Sequence, residues 1–216
     1  MLSVLVKIIS LDLAATLSPG ILALALVLLG EKNHRMRRIL ALLFGTLIVA
    51  IVIAWLGYGL GDSFQGDGKQ SLTSAIIDAT LGIFFLFYGI KIFFSKERKI
   101  KSLTGEEKHT VLKWVIIGII INATNFDAVF LSFTAAKEVG VAKISEVYDL
   151  ILLLVNILFF ILPITLPLFI YLIMPNLAGR ILEKINVFVL KYSRYIIAAL
   201  FLIFGVYLAY KGIKFI

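Results

Sequence analysis

The chain has 216 residues, of which 61% are hydrophobic and 16% charged, and its mean hydropathy is +1.05. Soluble domains are nearer half apolar, so this composition predicts an all-α integral membrane protein. The absence of cysteine excludes disulfides, thiolate metal sites and thiol redox chemistry. The formal net charge of +8 is expected to reflect basic cytoplasmic loops and not the binding of nucleic acid.

Six apolar segments are long enough to cross a bilayer as helices, which takes about 20 residues each. In chain order they cover residues 3–29, 38–61, 74–94, 111–135, 147–174 and 195–215. Fifteen of the 21 lysine and arginine residues fall on the connections after the first, third and fifth segments. The positive-inside rule therefore predicts a multi-pass plasma membrane protein with both termini outside and three basic loops in the cytoplasm.

The first segment is interrupted by the sequence DLAATLSPG at residues 12–20. An ionised aspartate at the bilayer centre costs about 2.5–3.5 kcal/mol, so Asp12 should be protonated, paired or hydrated. Thr16 and Pro19 follow on the same helical face. Pro19 leaves the carbonyl of Ala15 without its helical N–H partner, and Gly20 allows a bend. We expect this break to face protein or a wet cavity, because freed backbone groups are not tolerated in lipid.

The fourth segment carries a second polar interruption, IINATNFDAVF at residues 120–130. Counted from residue 135, Asp127 lies about nine residues from the predicted outer surface, at the same depth as Asp12. In a regular helix Asn122 and Asn125 share one face while Asp127 points elsewhere, so a common site requires local unwinding. Two structural alternatives stay open. The asparagines could tie helices together by hydrogen bonds, and Asp127 could pair with Lys137 or Thr124.

An internal repeat is indicated by two similar stretches, LGIFFLFYGIKIF at 81–93 and FGVYLAYKGIKFI at 204–216. A shift of 123 positions pairs Gly82 with Gly205 and Gly89 with Gly212. The residues AAT at 14–16 similarly correspond to NAT at 122–124. Since three is an odd number of spans, the second half would enter the membrane from the opposite side. The pattern predicts two inverted three-helix repeats, residues 1–110 with a basic cytoplasmic loop and residues 111–216, meeting at a site near mid-bilayer.

Other features leave alternatives open. Pro163 and Pro167 in the fifth segment fit either a gating hinge or a bent helix. Residues 176–194 space apolar side chains at helical intervals among basic ones, which fits an interfacial amphipathic helix or the start of the sixth span. Asp78 is interpreted as an interfacial residue and Asp149 as a solvated one at the outer surface. The glycines of the second span are expected to permit close helix packing.

The stretch LSPGILALALVLLGEKNHRMRRILALLFGTLIVAIVIAWLG at 17–57 resembles the first two spans of the lysine-exporter (LysE) superfamily. The closest likeness is to its GAP branch, which includes the sulfolipid-addressing proteins. Ser-Pro-Gly in span one, a basic loop, a glycine-bearing span two and YGIKIF ending span three carry the resemblance. Asn122 matches the asparagine of the superfamily's Asn-Pro-Lys segment, where Ala123 and Thr124 replace the proline and lysine. The resemblance implies six spans in 3+3 inverted repeats and export of a small solute or movement of a glycolipid.

These observations predict a small secondary exporter of a polar or amphipathic solute, coupled to protons that Asp12 and Asp127 carry. We expect no enzymatic activity, no cofactor and no metal. The expected partners are the lipid bilayer and a small-molecule or lipid substrate, and a homodimer is left open. The predicted substrate-binding residues line the two breaks and the fifth span: Asp12, Thr16, Ser18, Pro19, Gly20, Asn122, Thr124, Asn125, Asp127 and Asn156.

Three other readings of the sequence are kept. A lipid or glycolipid translocation or addressing protein would open a polar groove to the bilayer. A structural or assembly factor would transport nothing. An intramembrane aspartyl protease is the remote alternative, because GLGD at 59–62 and YD at 148–149 are the two short motifs of such enzymes. Here the two motifs stand in reversed order and at span ends, which disfavours proteolysis.

Overall fold

The computed structural model describes residues 2–31, 34–63, 72–95, 111–142 and 144–214. Within these ranges the chain is helical and contains no strand. The basic segment 96–110, the predicted boundary between the repeats and most of the loop 61–70 lie outside the described residues. Eight helices follow one another: α1 Leu2–Ala15, α2 Pro19–Gly30, α3 Arg35–Ser63, α4 Leu72–Phe94, α5 Val111–Ala123, α6 Phe126–Ala142, α7 Glu146–Ile173 and α8 Pro175–Ile213.

Four of these helices, α3, α4, α7 and α8, are long and apolar enough to cross a membrane individually. The pairs α1–α2 and α5–α6 each pass the same test as a unit, and are bent by 57° and 75° at short breaks. The chain is therefore a multi-pass membrane protein with four membrane-crossing helices, or up to six spans if each bent pair counts as one. Large apolar side chains such as Trp55 and Phe87 are exposed on its surface, as expected for faces that contact lipid.

The predicted segments match the helices to within a few residues except at two places. The fourth segment divides at residues 124–125 and continues to Ala142 instead of ending near residue 135. Helix α6 thus continues 15 residues beyond Asp127, and the predicted depth of Asp127 in the membrane stays a prediction. The sixth segment begins at Pro175, so the amphipathic stretch and the last span form one helix of 39 residues. Pro163 and Pro167, for which the sequence leaves open both a gating hinge and a bent helix, lie inside the uninterrupted helix α7.

Glycines determine how closely the long helices approach. A Cβ added at Gly45 would overlap the carbonyl oxygen of Val115, and one at Gly61 would overlap that of Lys137. These contacts join α3 to α5 and to α6. Gly57 makes a similar contact with α6, whereas Gly59 faces open space. The prediction of close packing through the glycines of the second span is thus confirmed for three of the four.

Helices α4 and α8 pack against each other in antiparallel directions. Gly82 lies on the backbone of Ala209, and Gly212 lies on the backbone of Ala79. Phe85 and Phe201 meet between them, with ring centroids 4.6 Å apart. This interface is tight because glycine lets the two helix backbones approach without a side chain between them.

Two buried apolar clusters fill the bundle at different levels. One joins α1, α6 and the α4–α8 pair and includes Leu11, Leu131 and Phe201. The other joins α2, the start of α3, the end of α7 and the start of α8, and includes Leu28 and Ile164. The bend of α1–α2 lies between these clusters, because α1 belongs to the first cluster and α2 to the second.

Candidate functional site

The break between α1 and α2 follows from local backbone chemistry. Helix α1 ends at Ala15, and α2 begins with Pro19 at its first position, where the missing N–H of proline costs nothing. Ser18 at the N-cap is extended, with φ −95° and ψ 98°, and its hydroxyl does not cap the helix. The Ser18 hydroxyl is therefore available to contact another part of the chain.

The break between α5 and α6 is equally short. Helix α5 ends at Ala123, and α6 starts at Phe126 after a 75° bend. Asp127 lies in the first turn of α6, where the positive end of the helix dipole stabilises a carboxylate. The half-buried side chain of Asp127 therefore stabilises the start of α6.

The two breaks touch each other. The side-chain amide of Asn125 donates a hydrogen bond to the hydroxyl of Ser18, at 2.9 Å between Nδ2 and Oγ. Ser18 is buried and Asn125 is half-buried. Residues separated by more than 100 positions, each predicted from a polar interruption, are thus in direct contact at the points where the helices change direction.

A second polar group surrounds Asp12, whose side chain is fully buried. The amide of Asn156 on α7 donates to Asp12 Oδ1 at 2.6 Å. Ser132 on α6 donates from its hydroxyl to Asn156 Oδ1 at 3.2 Å, and its carbonyl accepts a bond from Asn156 Nδ2. We call Asp12, Ser132 and Asn156 the Asp12 site. It joins α1, α6 and α7.

The two carboxyl oxygens of Asp12 differ in their hydrogen bonding. Asp12 Oδ2 is buried and has no hydrogen-bond partner among the described residues. An ionised carboxylate would be costly here, since only a neutral amide donates to it and membrane helices pack on every side. The neutral carboxyl is therefore the less costly form of Asp12 in these surroundings.

The other predicted site residues lie outside the Asp12 site. Asn122 is buried and donates to Thr46 Oγ1 at 2.8 Å and to the carbonyl of Gly118, which ties α5 to α3. Thr16 and Thr124 direct their hydroxyls to carbonyls of their own helices. Pro19 is half-buried and Gly20 is exposed. Helix-tying was the alternative reading of the asparagines, and both of them do bridge separate helices.

A buried cluster of charges was missed by the sequence reading. We call it the ionic cluster, and its members come from four helices: Lys7, Asp78, Lys137, Glu138, Tyr207 and Lys211. Asp78, interpreted from the sequence as an interfacial residue, has a fully buried carboxylate that pairs with Lys137 and Lys211. The sequence leaves open a pair of Lys137 with Asp127, and in the structure Lys137 pairs with Asp78 instead. The available signal was the adjacent pair Lys137 and Glu138, which follows a largely apolar stretch of α6.

Asp149 also differs from its expected solvated position. It is 7% exposed and accepts a hydrogen bond from the hydroxyl of Tyr58 at 3.3 Å between Tyr58 Oη and Asp149 Oδ2. Its carboxylate lies close enough to Asp62 for the two to repel each other. Both acids are at helix ends, Asp62 in the last turn of α3 and Asp149 in the first turn of α7. Among the described residues no three histidine or acidic side chains converge as in a metal site.

Comparison with protein families finds one matching model, described as Sap, sulfolipid-1-addressing protein, over residues 8–214. No curated protein and no solved structure match the chain. The matched range includes both helix breaks, the Asp12 site and nearly all of the ionic cluster. The chain therefore belongs to the sulfolipid-1-addressing protein family.

Proposed function

We propose that the chain is a six-span secondary transporter built from two inverted three-helix repeats. The α4–α8 interface supports the repeat. Gly82 contacts Ala209, and Gly205 contacts Leu86, so a shift of 123 positions converts one contact into the other. The same shift relates the contact of Gly89 with Ala198 to that of Gly212 with Ala75. Matched contacts of this kind are characteristic of elements related by a twofold axis.

The helix breaks support the same arrangement. Helix α1 ends at Ala15 and α5 ends at Ala123. These positions are equivalent under the shift of 108 that relates AAT at 14–16 to NAT at 122–124. Broken helices that meet where two inverted repeats join form the binding sites of many secondary transporters. The single observation that carries the proposal is the hydrogen bond between Ser18 and Asn125, because it joins the two breaks directly.

In this proposal Asp12 carries the coupling proton. The carboxyl group takes a proton from the outside and releases it to the cytoplasm as substrate moves outward. Its buried Oδ2 atom and its neutral partner Asn156 suit this role. In these surroundings the protonated carboxyl of Asp12 is stable, whereas its ionised form costs free energy. The basic connections are placed in the cytoplasm by the positive-inside rule. The chain performs no covalent chemistry and requires no cofactor.

The substrate is an amphipathic solute with a polar end that reaches the helix breaks. The family name refers to the addressing of a sulfolipid, which favours a lipid-like molecule over an amino acid. The likeness to the LysE superfamily favours export. Movement of a lipid without a proton gradient is the second candidate function, and the family name is the observation that favours it. Proteolysis is disfavoured because Asp62 and Asp149 lie at helix ends away from the breaks.

The test uses purified protein in liposomes and a fluorescent single-chain lipid with an anionic headgroup. Protection of the probe from external dithionite reports its movement across the bilayer, with and without an imposed pH gradient. We expect movement that depends on the gradient in the native protein and is lost in Asp12→Asn. The control is Asp62→Asn, an exposed aspartate, which should retain it. Equal movement without a gradient in all three proteins would instead establish the second candidate, and no movement by the native protein would contradict both.

A further inference from the structure

The contacts of the ionic cluster differ in burial. Lys137 and Asp78 form its most buried pair, with side chains 1% and 0% exposed. The contacts of Glu138 are longer, 3.3 Å to Lys211 Nζ and 3.4 Å to Lys7 Nζ. The lysines of these contacts are also more accessible, since the side chain of Lys7 is 30% exposed and that of Lys211 is 18% exposed.

The charges of the cluster do not balance. Three ammonium groups, on Lys7, Lys137 and Lys211, face two carboxylates, on Asp78 and Glu138. Counted over the described residues, the cluster therefore has one formal excess positive charge, and the hydroxyl of Tyr207 contacts Lys7 beside it. An incompletely compensated charge among packed helices is costly, so an additional anion at this place is favoured.

The cluster lies farther along two of the three helices of the Asp12 site, toward one end of the bundle. Lys7 lies five residues before Asp12 on α1, and Glu138 lies six residues after Ser132 on α6. The positions equivalent to the cluster in the proposed repeat are uncharged: Val115, Phe201, Leu29, Gly30 and Tyr88. The proposed repeat therefore does not reproduce the charges of the cluster at the equivalent positions.

We propose that Lys7 and Lys211 bind an anionic oxyacid group of the substrate, in the place that Glu138 occupies in this structure. The inference rests on the proposed function and assigns a place in the bundle to the anionic group of its amphipathic substrate. The arriving anion takes over the two long contacts of Glu138 and neutralises the excess charge, while the Lys137–Asp78 pair stays in place. Release of Glu138 removes the contacts of α6 with Lys7 of α1 and Lys211 of α8 and loosens this end of the bundle.

Binding is measured with the full-length protein in neutral detergent by the concentration dependence of its thermal stabilisation. The probes are a short-chain phosphatidylglycerol, the phosphatidylcholine of the same chain length, and inorganic sulfate. We expect saturable stabilisation by the anionic lipid, little by the zwitterionic one, and weak competition by sulfate. Stronger binding of sulfate than of the lipid would identify a free anion as the ligand and overturn the assignment to an amphiphile.

The variants separate ligand binding from a purely structural role. Lys7→Gln should weaken binding of the anionic lipid about tenfold, the loss expected for one charge-assisted hydrogen bond. Glu138→Gln removes the competing carboxylate and should strengthen binding. The matched controls Lys191→Gln and Glu183→Gln alter exposed residues of α8 and should change neither affinity. If Glu138→Gln weakens binding as Lys7→Gln does, or if both lipids bind equally, the cluster is a structural latch and the proposal is wrong.

These binding results are independent of transport. Loss of gradient-driven movement in Asp12→Asn with unchanged lipid binding supports both proposals. Selective anion binding by a protein that moves no lipid would leave the binding site standing and contradict the transport function. Movement of the lipid without selective binding would overturn the binding site alone.

Discussion

The hydrogen bonds of Asp12 connect parts of the chain that sequence cannot connect. Asp12 and Asn156 were each predicted as site residues because polar side chains in membrane helices are expensive. Their contact joins residues 144 positions apart, so it depends on how α1 and α7 pack. Ser132 was missed, because a serine in an apolar helix usually bonds to its own helix and its role appears only when α6 faces α7.

Removing the amide donor should destabilise the Asp12 site. We expect Asn156→Ala to lower the free energy of unfolding by about 1–3 kcal/mol, because it leaves buried polar atoms of Asp12 and Ser132 without partners. The melting temperature of the purified protein in detergent measures the loss. The control Thr80→Ala changes an exposed threonine whose hydroxyl bonds to its own helix, and should shift stability by less than about 0.5 kcal/mol.

A double-mutant cycle shows whether the loss of unfolding free energy in Asn156→Ala depends on Asp12. The combination Asp12→Ala with Asn156→Ala should cost less than the sum of the two single substitutions, since both remove the same hydrogen bond. Strict additivity would mean that Asp12 and Asn156 do not interact in the folded protein.

At the scale of elements, the sequence predicted where helices break but not how far they extend. Pro19 and the asparagines around Asn125 mark both breaks correctly, because their effects on the backbone are local. The end of α6 was placed too early because Lys137 and Glu138 were taken to lie outside the membrane. The structure buries both and pairs them with charges from other helices, a compensation that composition cannot reveal. The bend angles of 57° and 75° likewise follow from packing.

The close approach of α4 and α8 predicts that different glycine substitutions lower stability by different amounts. Gly82→Ala places a methyl group on the backbone of Ala209, which cannot move aside, and should cost about 1–3 kcal/mol of stability. Gly205→Ala meets the flexible side chain of Leu86 at 3.0 Å and should cost less.

Gly59→Ala serves as the control for this series because no atom lies within 4 Å of its added Cβ. It should be neutral or stabilising by up to about 1 kcal/mol, since alanine is the better helix former. Thermal unfolding of the three variants in detergent gives the order. A Gly82→Ala protein as stable as Gly59→Ala would contradict the described α4–α8 packing.

For the whole molecule, the inverted arrangement requires that the bent pairs cross the membrane. If they do, the chain has six spans, and the two halves are inverted. If both pairs instead enter and leave on one side, only α3, α4, α7 and α8 cross, and the halves run in the same direction. The matched glycine contacts favour inversion, as does the alternation of basic connections along the sequence.

Single-cysteine labelling distinguishes these two arrangements directly, because the native chain has no cysteine. Asp62→Cys marks the end of α3 and Met174→Cys marks the end of α7, and both residues are exposed. A maleimide that cannot cross the membrane is applied to intact cells and then to permeabilised cells. Six inverted spans predict labelling of Asp62→Cys in intact cells and of Met174→Cys only after permeabilisation. Labelling of both positions from the same side would contradict the inverted repeat and the shared site built upon it.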